Sequence, residues 1–321
     1  MRLSPKSWLL GFPVMKSPIR AVLLIALPLL LMGCAPSPAA RAARAQRHAE
    51  QAAIVLADSS DADSLAAAGL LSLQSARDRS MPLLTDGTRA APERPDLVWL
   101  QIEVCQKVSW CDPEPMERRL RVLDPSNGAG WMGALARANA SQDFVAVDAA
   151  LAALSHSERV DIYWTTLIAH LSRAAAHTGK MSLAEAQISV IGYLAAQGIP
   201  AYGAASNACK GERLQRPDIV AACRGVARSF EHGDTYITEM IGAAIARRVW
   251  PEDSPEWKAA VEARRVYQYR ARLLEALNRN GLYGRQAAER YLAWCDHNRR
   301  EQDVFLAQLV EAGKNPNPPP E

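Results

Sequence analysis

The fold is decided by one stretch, residues 131–154, which reads WMGALARANASQDFVAVDAALAAL. Trp131 lies early in a first helical pattern, and Phe144 opens a second pattern thirteen residues later. Apolar residues then follow at the spacing of one helical face, at Val147, Ala150, Leu151 and Leu154. The stretch therefore predicts two helices joined by a short turn.

Tryptophans recur at a nearly constant interval on both sides of this stretch. Trp99, Trp131 and Trp164 stand 32 and 33 residues apart. A period of this length is typical of a helical hairpin that buries its apolar face only by stacking on the next hairpin. The alternative is that three tryptophans of an all-helical core are evenly spaced by chance.

This pattern resembles the tetratricopeptide repeat, whose first helix carries an early tryptophan and whose second helix opens with an aromatic residue. The resemblance covers residues 95–197, implies stacked hairpins and makes Trp131 and Trp164 candidate binding residues. Larger residues stand where the family has small ones, at Glu103, Leu135, Ile168, Pro115, Val147 and Lys180. These departures put the family's peptide-binding groove in doubt.

Helix signals continue along the rest of the chain. Ser182 and Glu185 form a capping box, and Ser254-Pro255 places a cap before a long helix. Asp234 is expected to cap a helix with an apolar stripe at Ile237, Met240, Ile241, Ala244 and Ile245. Since runs of alternating β-branched residues are missing, we predict an all-α fold of stacked helical hairpins, as an irregular solenoid similar to tetratricopeptide repeats or a helical array.

The N-terminal residues have the features of an export signal. Four basic residues and no acidic residue accompany an apolar run from Ala21 to Leu31. The run is about a dozen residues, whereas a transmembrane helix needs ~20, and it contains Pro28. The following Leu31-Met32-Gly33-Cys34 resembles the lipobox of bacterial lipoprotein precursors. A plain secretory signal with an ordinary cysteine is the alternative.

The lipobox resemblance implies cleavage before Cys34 and acylation of that cysteine. One acyl chain anchors a protein only marginally, whereas several anchor it stably. Lipoproteins retained in the inner membrane usually carry Asp after the cysteine, and this chain has Ala35. We therefore expect a lipid-anchored protein on the periplasmic face of the outer membrane of a Gram-negative cell.

The expected organisation has four parts. Residues 1–33 are the signal peptide, 34–94 a tether and N-terminal helices, 95–313 the helical-hairpin domain, and 314–321 a proline-rich disordered tail. The boundary near residue 95 is placed there because three prolines and a glycine between Met81 and Pro95 are expected to prevent a helix.

Charge gives no reason to expect a nucleic-acid partner. The formal net charge is +3, but four of the 37 Lys and Arg residues precede Cys34. The remainder carries 33 basic residues against 34 acidic ones, a net charge of −1. The basic character of the chain thus belongs to its targeting segment.

Of the six cysteines, acylation of Cys34 leaves five in an oxidising compartment, where pairing is expected. We favour the pairs that are close in sequence, Cys105 with Cys111 and Cys209 with Cys223, because each spans a predicted turn between helices. Five cysteines nevertheless allow fifteen ways of making two pairs. Cys295 remains, as a buried inert thiol rather than a reactive one or a dimer bridge.

Catalytic patterns are weak. His170 and His177 share a helix face without a third metal ligand, and in Cys295-Asp296-His297 the thiol and imidazole are two apart on a helix and point in different directions. Glu231-His232-Gly233-Asp234 is the most enzyme-like segment, but its Asp has the capping role. We predict no catalytic residue, metal ligand or cofactor.

Arginines and tyrosines are dense between Arg264 and Arg300, a combination common at interfaces but equally ordinary on long solvated helices, which we favour. The leading hypothesis is a binding or scaffold protein for another envelope protein, of unknown oligomeric state. The alternative is a periplasmic hydrolase or cell-wall enzyme with a site near His232. A purely structural lipoprotein is a third possibility.

Overall fold

The computed structural model describes residues 37–196, 199–279 and 284–319. Within these ranges the chain forms fifteen α-helices and one short 3-10 turn, and β-structure is limited to a bridge between Asn127 and Arg159. The predicted all-α fold is therefore confirmed. The signal segment and Cys34 lie outside the described residues. Among the helices that are described, none has the length and apolarity needed to cross a membrane.

The helices follow one another with short connections. In chain order they are α1 (Pro38–Leu56), α2 (Ala62–Leu71), α3 (Arg77–Ala90), α4 (Pro95–Cys105), α5 (Glu114–Leu123), α6 (Ala129–Ala140), α7 (Phe144–Ser155), α8 (Trp164–His177), α9 (Leu183–Ala195), α10 (Ile199–Ala208), α11 (Pro217–Glu231), α12 (Tyr236–Val249), α13 (Pro255–Arg279), α14 (Arg285–His297) and α15 (Glu301–Glu311). The 3-10 turn, Gly211–Gln215, precedes α11.

Contacts within the chain divide it between Arg44 and Ala45. Of the first unit, residues 37–44 are described, and residues 38–44 form the start of α1. Everything said below about packing concerns the second unit, Ala45–Glu321.

Consecutive helices pair into hairpins in the second unit. The pairs are α2 with α3, α4 with α5, α6 with α7, α8 with α9, and α11 with α12. Their stacking is irregular, because α8 packs on α2, α9 and α14, whereas α10 packs on α6 and α11 on α7. The three tryptophans also occupy different positions in their helices: Trp99 is the fifth residue of α4, Trp131 the third of α6 and Trp164 the first of α8. The fold is a helical array rather than one regular repeat.

Two large apolar cores hold the array together, and a small cluster of Ala169, Cys295 and Val304 adds to them. The first lies among α1, α2, α3, α4, α8 and α9 and includes the fully buried Leu70, Leu84 and Leu100. The second lies among α6, α7, α10, α11 and α12 around Phe230. Residues on both sides of position 95 belong to the first core, so the segment boundary predicted there does not coincide with a break in the core.

The helix break predicted between Met81 and Pro95 is wrong, because α3 runs from Arg77 to Ala90 with Pro82 inside it. An internal proline removes one backbone hydrogen bond and costs ~3 kcal/mol. Burial of Met81 and Leu84 in the first core offsets this cost. Gly87 supports the packing instead of ending the helix, because a Cβ there would lie 3.2 Å from the carbonyl oxygen of Ala62 on α2.

The chain after α15 runs along α13. The Nε of Arg270 donates to the carbonyl oxygen of Pro316 over 3.1 Å, and an Nη1 of Arg265 donates to that of Pro319 over 2.7 Å. Residues 314–319, which we predicted to be disordered, are thus held against this helix.

Candidate functional site

Both predicted cysteine pairs lie at disulfide distance. The Cα atoms are 5.3 Å apart in Cys105–Cys111 and 5.7 Å apart in Cys209–Cys223. Cys295, a residue of α14, is buried against Ala169 and Val304, and burial raises the pKa of its thiol to about 12. Since the thiolate is the reactive form of cysteine, this environment suits an inert thiol.

The histidines on α8 point to separate surroundings. His170 Nδ1 lies 2.7 Å from Oδ2 of Asp63, and this hydrogen bond raises the pKa of His170. His177 is the last residue of the same helix and is exposed. Among the described residues no three His, Cys, Asp or Glu side chains are grouped as a metal site would require.

The two tryptophans proposed as binding residues lie in different parts of the array. Trp131 packs on the second core, with the guanidinium of Arg121 4.1 Å above its ring. Trp164 packs on the first core and lines a cavity of about 20 Å³ with Trp99 and Glu103. Neither side chain is among the residues that line the large groove described below, but the indole of Trp164 lies beside Glu301, which does line it.

The Glu231-His232-Gly233-Asp234 segment turns its side chains in different directions. His232 is exposed, whereas Asp234 is 1 % exposed. The predicted capping of α12 by Asp234 is wrong, because the Oγ1 of Thr235 accepts from the backbone N–H of Thr238 instead. Asp234 faces the opposite direction, toward the start of α8.

The densest polar cluster, which we call the junction, joins four loops between the two cores. It comprises Asp124, Asn127, Arg159, Asp161, Tyr163, Asp234 and Arg299. Asn127 occupies its middle: its amide nitrogen donates to the backbone oxygen of Asp161 over 2.8 Å and to the hydroxyl of Tyr163 over 3.0 Å. Its amide oxygen accepts from the backbone N–H groups of Ala129 and Asp161.

The acidic side chains of the junction are held by donors from distant parts of the chain. Asp234 accepts the backbone N–H groups of Ile162 and Trp164 over 2.9 and 2.8 Å, so it caps α8. Asp161 accepts the guanidinium of Arg299 and the backbone N–H of Tyr163. Such donors favour a charged carboxylate, and here they connect the loop before α8 to the loops before α12 and α15.

Burial and the neighbouring carboxylate of Asp161 raise the pKa of Asp234 well above its usual range. A raised pKa in a cleft is a common mark of a catalytic acid. Asp161 and Asp234 are both about 1 % exposed, however, so no substrate reaches them without opening the fold. The junction is therefore a structural lock between helices.

A large open groove lies on another side of the same loops, among α12, α13 and α15. Its volume is about 860 Å³. Ten side chains define it: Tyr236, Ile237, Met240, Tyr267, Ala271, Leu274, Glu275, Glu301, Phe305 and Gln308. Ile237 is 50 % exposed at its edge. The volume and the mostly apolar lining are those of binding sites.

Aromatic rings form one wall of the groove. Tyr236 packs between Phe305, at a ring-centroid distance of 5.3 Å, and Tyr267, at 5.0 Å. Within the described ranges no group makes a well-formed hydrogen bond to the buried hydroxyl of Tyr236, although the guanidinium of Arg270 lies beside it. Burial raises the pKa of Tyr236, and the nearby guanidinium of Arg270 opposes this shift.

Glu301 brings a carboxylate to this aromatic wall. Its Oε2 accepts the backbone N–H of Tyr236 over 2.9 Å, and its own N–H donates to the carbonyl oxygen of Asp234 over 2.7 Å. Burial raises the pKa of Glu301, while the N–H of Tyr236 lowers it. The groove thus combines an apolar lining with one firmly positioned acid.

Smaller cavities extend the groove at both ends. One of about 260 Å³ shares Met240 and Tyr267 with it, and another of about 390 Å³, between α9 and α14, shares Phe305 and Gln308. Ile188 is 57 % exposed beside the second cavity. The result is an elongated apolar surface rather than a closed pocket.

Sequence reasoning missed this groove, although two signals pointed to it. The apolar stripe of α12 contains more residues than the second core buries, which leaves Ile237 and Met240 for the groove. Tyr267 belongs to the arginine- and tyrosine-rich segment that we interpreted as a solvated face. An aromatic residue of that segment in fact contacts Tyr236.

The fold defines the chain as an all-α helical array, and an apolar groove lies among α12, α13 and α15. No protein-family model, curated protein or solved structure matches the chain.

Proposed function

We propose that this protein is a lipid-anchored binding or scaffold protein on the periplasmic face of the Gram-negative outer membrane, and that it binds another envelope protein through the groove. The open apolar groove among α12, α13 and α15 supports this proposal most directly. Binding through Trp131 and Trp164 on a tetratricopeptide-like surface stays a prediction.

Anchoring rests on the sequence Leu31-Met32-Gly33-Cys34 and on Ala35. Cys34→Ala removes the acylated residue, so we expect this variant to leave the membrane fraction for the soluble periplasmic fraction. Wild-type protein fractionated in parallel is the control. A Cys34→Ala form that stays in the membrane fraction would contradict the anchor.

A protein segment suits the groove better than a small ligand because of its length. Pockets for small ligands measure ~300–1,000 Å³, and the groove of about 860 Å³ adjoins two further cavities that share lining residues with it. Proteins commonly bind an amphipathic helix by laying its apolar side chains into such a groove. Exposed Ile237 and Ile188 would lie along this segment.

Site-specific photo-cross-linking tests the location of the partner. A photoreactive residue at Ile237 should cross-link to one envelope protein in living cells. The same residue at Val145, 82 % exposed on α7 and outside the groove, is the matched control. Ile237→Asp should abolish a cross-link placed at Met240, whereas Val145→Asp should leave it intact. Equal cross-linking from 237 and 145 would contradict the groove as the binding surface.

A further inference from the structure

We infer that the partner segment in the groove carries a Lys or Arg side chain beside its apolar residues, and that this cation pairs with Glu301. The inference rests on the proposed function. Its basis is the position of Glu301: this carboxylate is among the ten residues that line the groove, and none of the ten is Lys, Arg or His.

Glu301 is fixed where a bound segment would meet it. It is the first residue of α15, and two hydrogen bonds hold it in place: its carboxylate accepts the N–H of Tyr236, and its backbone N–H donates to the carbonyl oxygen of Asp234. It is mostly buried in the free protein but not closed off from water. A segment that covers the groove would remove the remaining water from its carboxylate.

The neighbouring arginines are already bound to other acceptors. Arg300 donates to the carbonyl oxygen of Gly233 over 3.1 Å and lies 3.5 Å from the carboxylate of Glu239. Arg270 donates to the carbonyl oxygen of Pro316. Their contacts hold them to the loop before α12, to Tyr236 and to the C-terminal tail, so a cation supplied by the partner is the expected counter-ion of a covered Glu301.

Covering a carboxylate without supplying a cation is unfavourable. An unpaired charge removed from water either lowers the affinity or takes up a proton. The pKa of Glu301 is already raised by its present burial, so further covering acts in the same direction. Removing one member of a desolvated charge pair weakens binding on the order of 30-fold or more. A basic residue in the segment is therefore a requirement for tight binding.

The test starts from the cross-link at position 237. Mass spectrometry of the cross-linked peptide should show a Lys or Arg within one helical turn of the cross-linked apolar residue. A synthetic peptide of that sequence is then measured against purified protein, next to a peptide in which the basic residue is Gln. Each peptide is titrated against wild type, Glu301→Gln and the control Glu262→Gln, which changes an exposed glutamate of α13 outside the groove.

We expect the Lys or Arg to Gln change to weaken binding on the order of 30-fold for wild type and Glu262→Gln, but less than about threefold for Glu301→Gln. Glu301→Gln retains an oxygen that accepts the N–H of Tyr236, so the variant keeps its fold. An equal loss on all three proteins, or a cross-linked peptide without a basic residue, overturns the inference but leaves the groove as the binding site. A cross-link to a second copy of this chain overturns the envelope partner. Failure to cross-link above position 145 overturns the proposed function itself.

Discussion

The junction and the groove each contain a carboxylate that backbone N–H groups hold in place, yet they differ in what surrounds it. In the junction, Asp234 is 1 % exposed and faces donors supplied by the chain itself. In the groove, Glu301 lies among apolar side chains and next to a tyrosine hydroxyl that makes no well-formed hydrogen bond in the described ranges. Polar groups that satisfy one another stabilise the fold, whereas an open apolar surface with unused polar capacity is suited to binding.

The largest expected effect tests the structural role of the junction. Asp234→Ala leaves the buried N–H groups of Ile162 and Trp164 without acceptors, and each such group costs ~1–3 kcal/mol. We expect the free energy of unfolding to fall by about 3–5 kcal/mol in urea denaturation.

Asp86→Ala is the matched control, because Asp86 pairs with Arg89 on the surface of α3. Its effect should stay within ~0.5 kcal/mol. If Asp234→Ala were as stable as this control, the junction would not be a lock, and its acid pair would have to be reconsidered as a functional site.

Glu103 adds a third buried carboxylate to the comparison of junction and groove. Its Oε1 accepts a long hydrogen bond, 3.4 Å, from Nε2 of Gln106. Burial raises its pKa to about 7. Because the folded state holds the proton more tightly than the unfolded state, wild type loses stability as pH rises from about 4.5 to about 7. Glu103→Gln removes this loss, so its stability relative to wild type should increase by about 3 kcal/mol between pH 4 and pH 8.

Urea unfolding at several pH values measures this difference. Glu114→Gln, which changes an exposed glutamate of α5, should show a flat difference over the same range. A flat profile for Glu103→Gln would mean that Glu103 is not desolvated as the structure indicates.

Tyr202 and Tyr236 differ in the hydrogen bonding of their hydroxyl groups. The hydroxyl of Tyr202 accepts from the Oγ1 of Thr238 over 2.9 Å, so Tyr202→Phe should lower the free energy of unfolding by about 1 kcal/mol. Tyr236→Phe removes the groove hydroxyl that lacks a well-formed hydrogen bond and should leave stability unchanged or raise it by up to ~1 kcal/mol. Thermal and urea unfolding of both variants decide the signs. Equal destabilisation would show that Tyr236 is bonded within the fold.

The smallest expected effect concerns the partly exposed pair of Asp63 and His170. The hydrogen bond that His170 donates to Asp63 raises the pKa of His170, so the pair stabilises the fold below the usual histidine pKa of ~6.5. This contribution is lost as pH rises through the raised pKa. Because the His170 side chain is 40 % exposed, the contribution should be below ~1 kcal/mol. His170→Gln should remove it in unfolding measured from pH 5.5 to 8.5, whereas His177→Gln should retain it.

What could be predicted from the sequence depends on how far apart the interacting residues lie. Cys105 with Cys111 and the capping box of Ser182 with Glu185 are local, and both are found as predicted. The bond from Trp164 to Asp234 spans 70 residues, and no local pattern favours it over capping by Asp234 of its own helix. Thr235 has the same local signal and takes that role.

The groove was hidden for a related reason. Ile237 and Met240 fit the apolar stripe that predicts a buried helix face, and helical periodicity alone does not distinguish a face that packs on a core from one that lines an open surface. Glu103 was noticed as too large for a repeat position, but its burial depends on how α4 packs on α3 and α8. Such information belongs to tertiary packing rather than to sequence spacing.

The long spans in the junction have a consequence for the order in which the molecule assembles. Arg299 reaches Asp161 across 138 residues, and Thr165 donates to the carbonyl oxygen of Arg299 across 134. Contacts between residues so far apart in sequence form slowly, because the chain loses the entropy of closing a long loop before the contact stabilises it. The start of α8 therefore acquires its final contacts only after α15 is in place. A chain that stops before Arg299 would retain the residues of both large apolar cores. It would lack the hydrogen bonds of Arg299 to Asp161 and Thr165 at the junction.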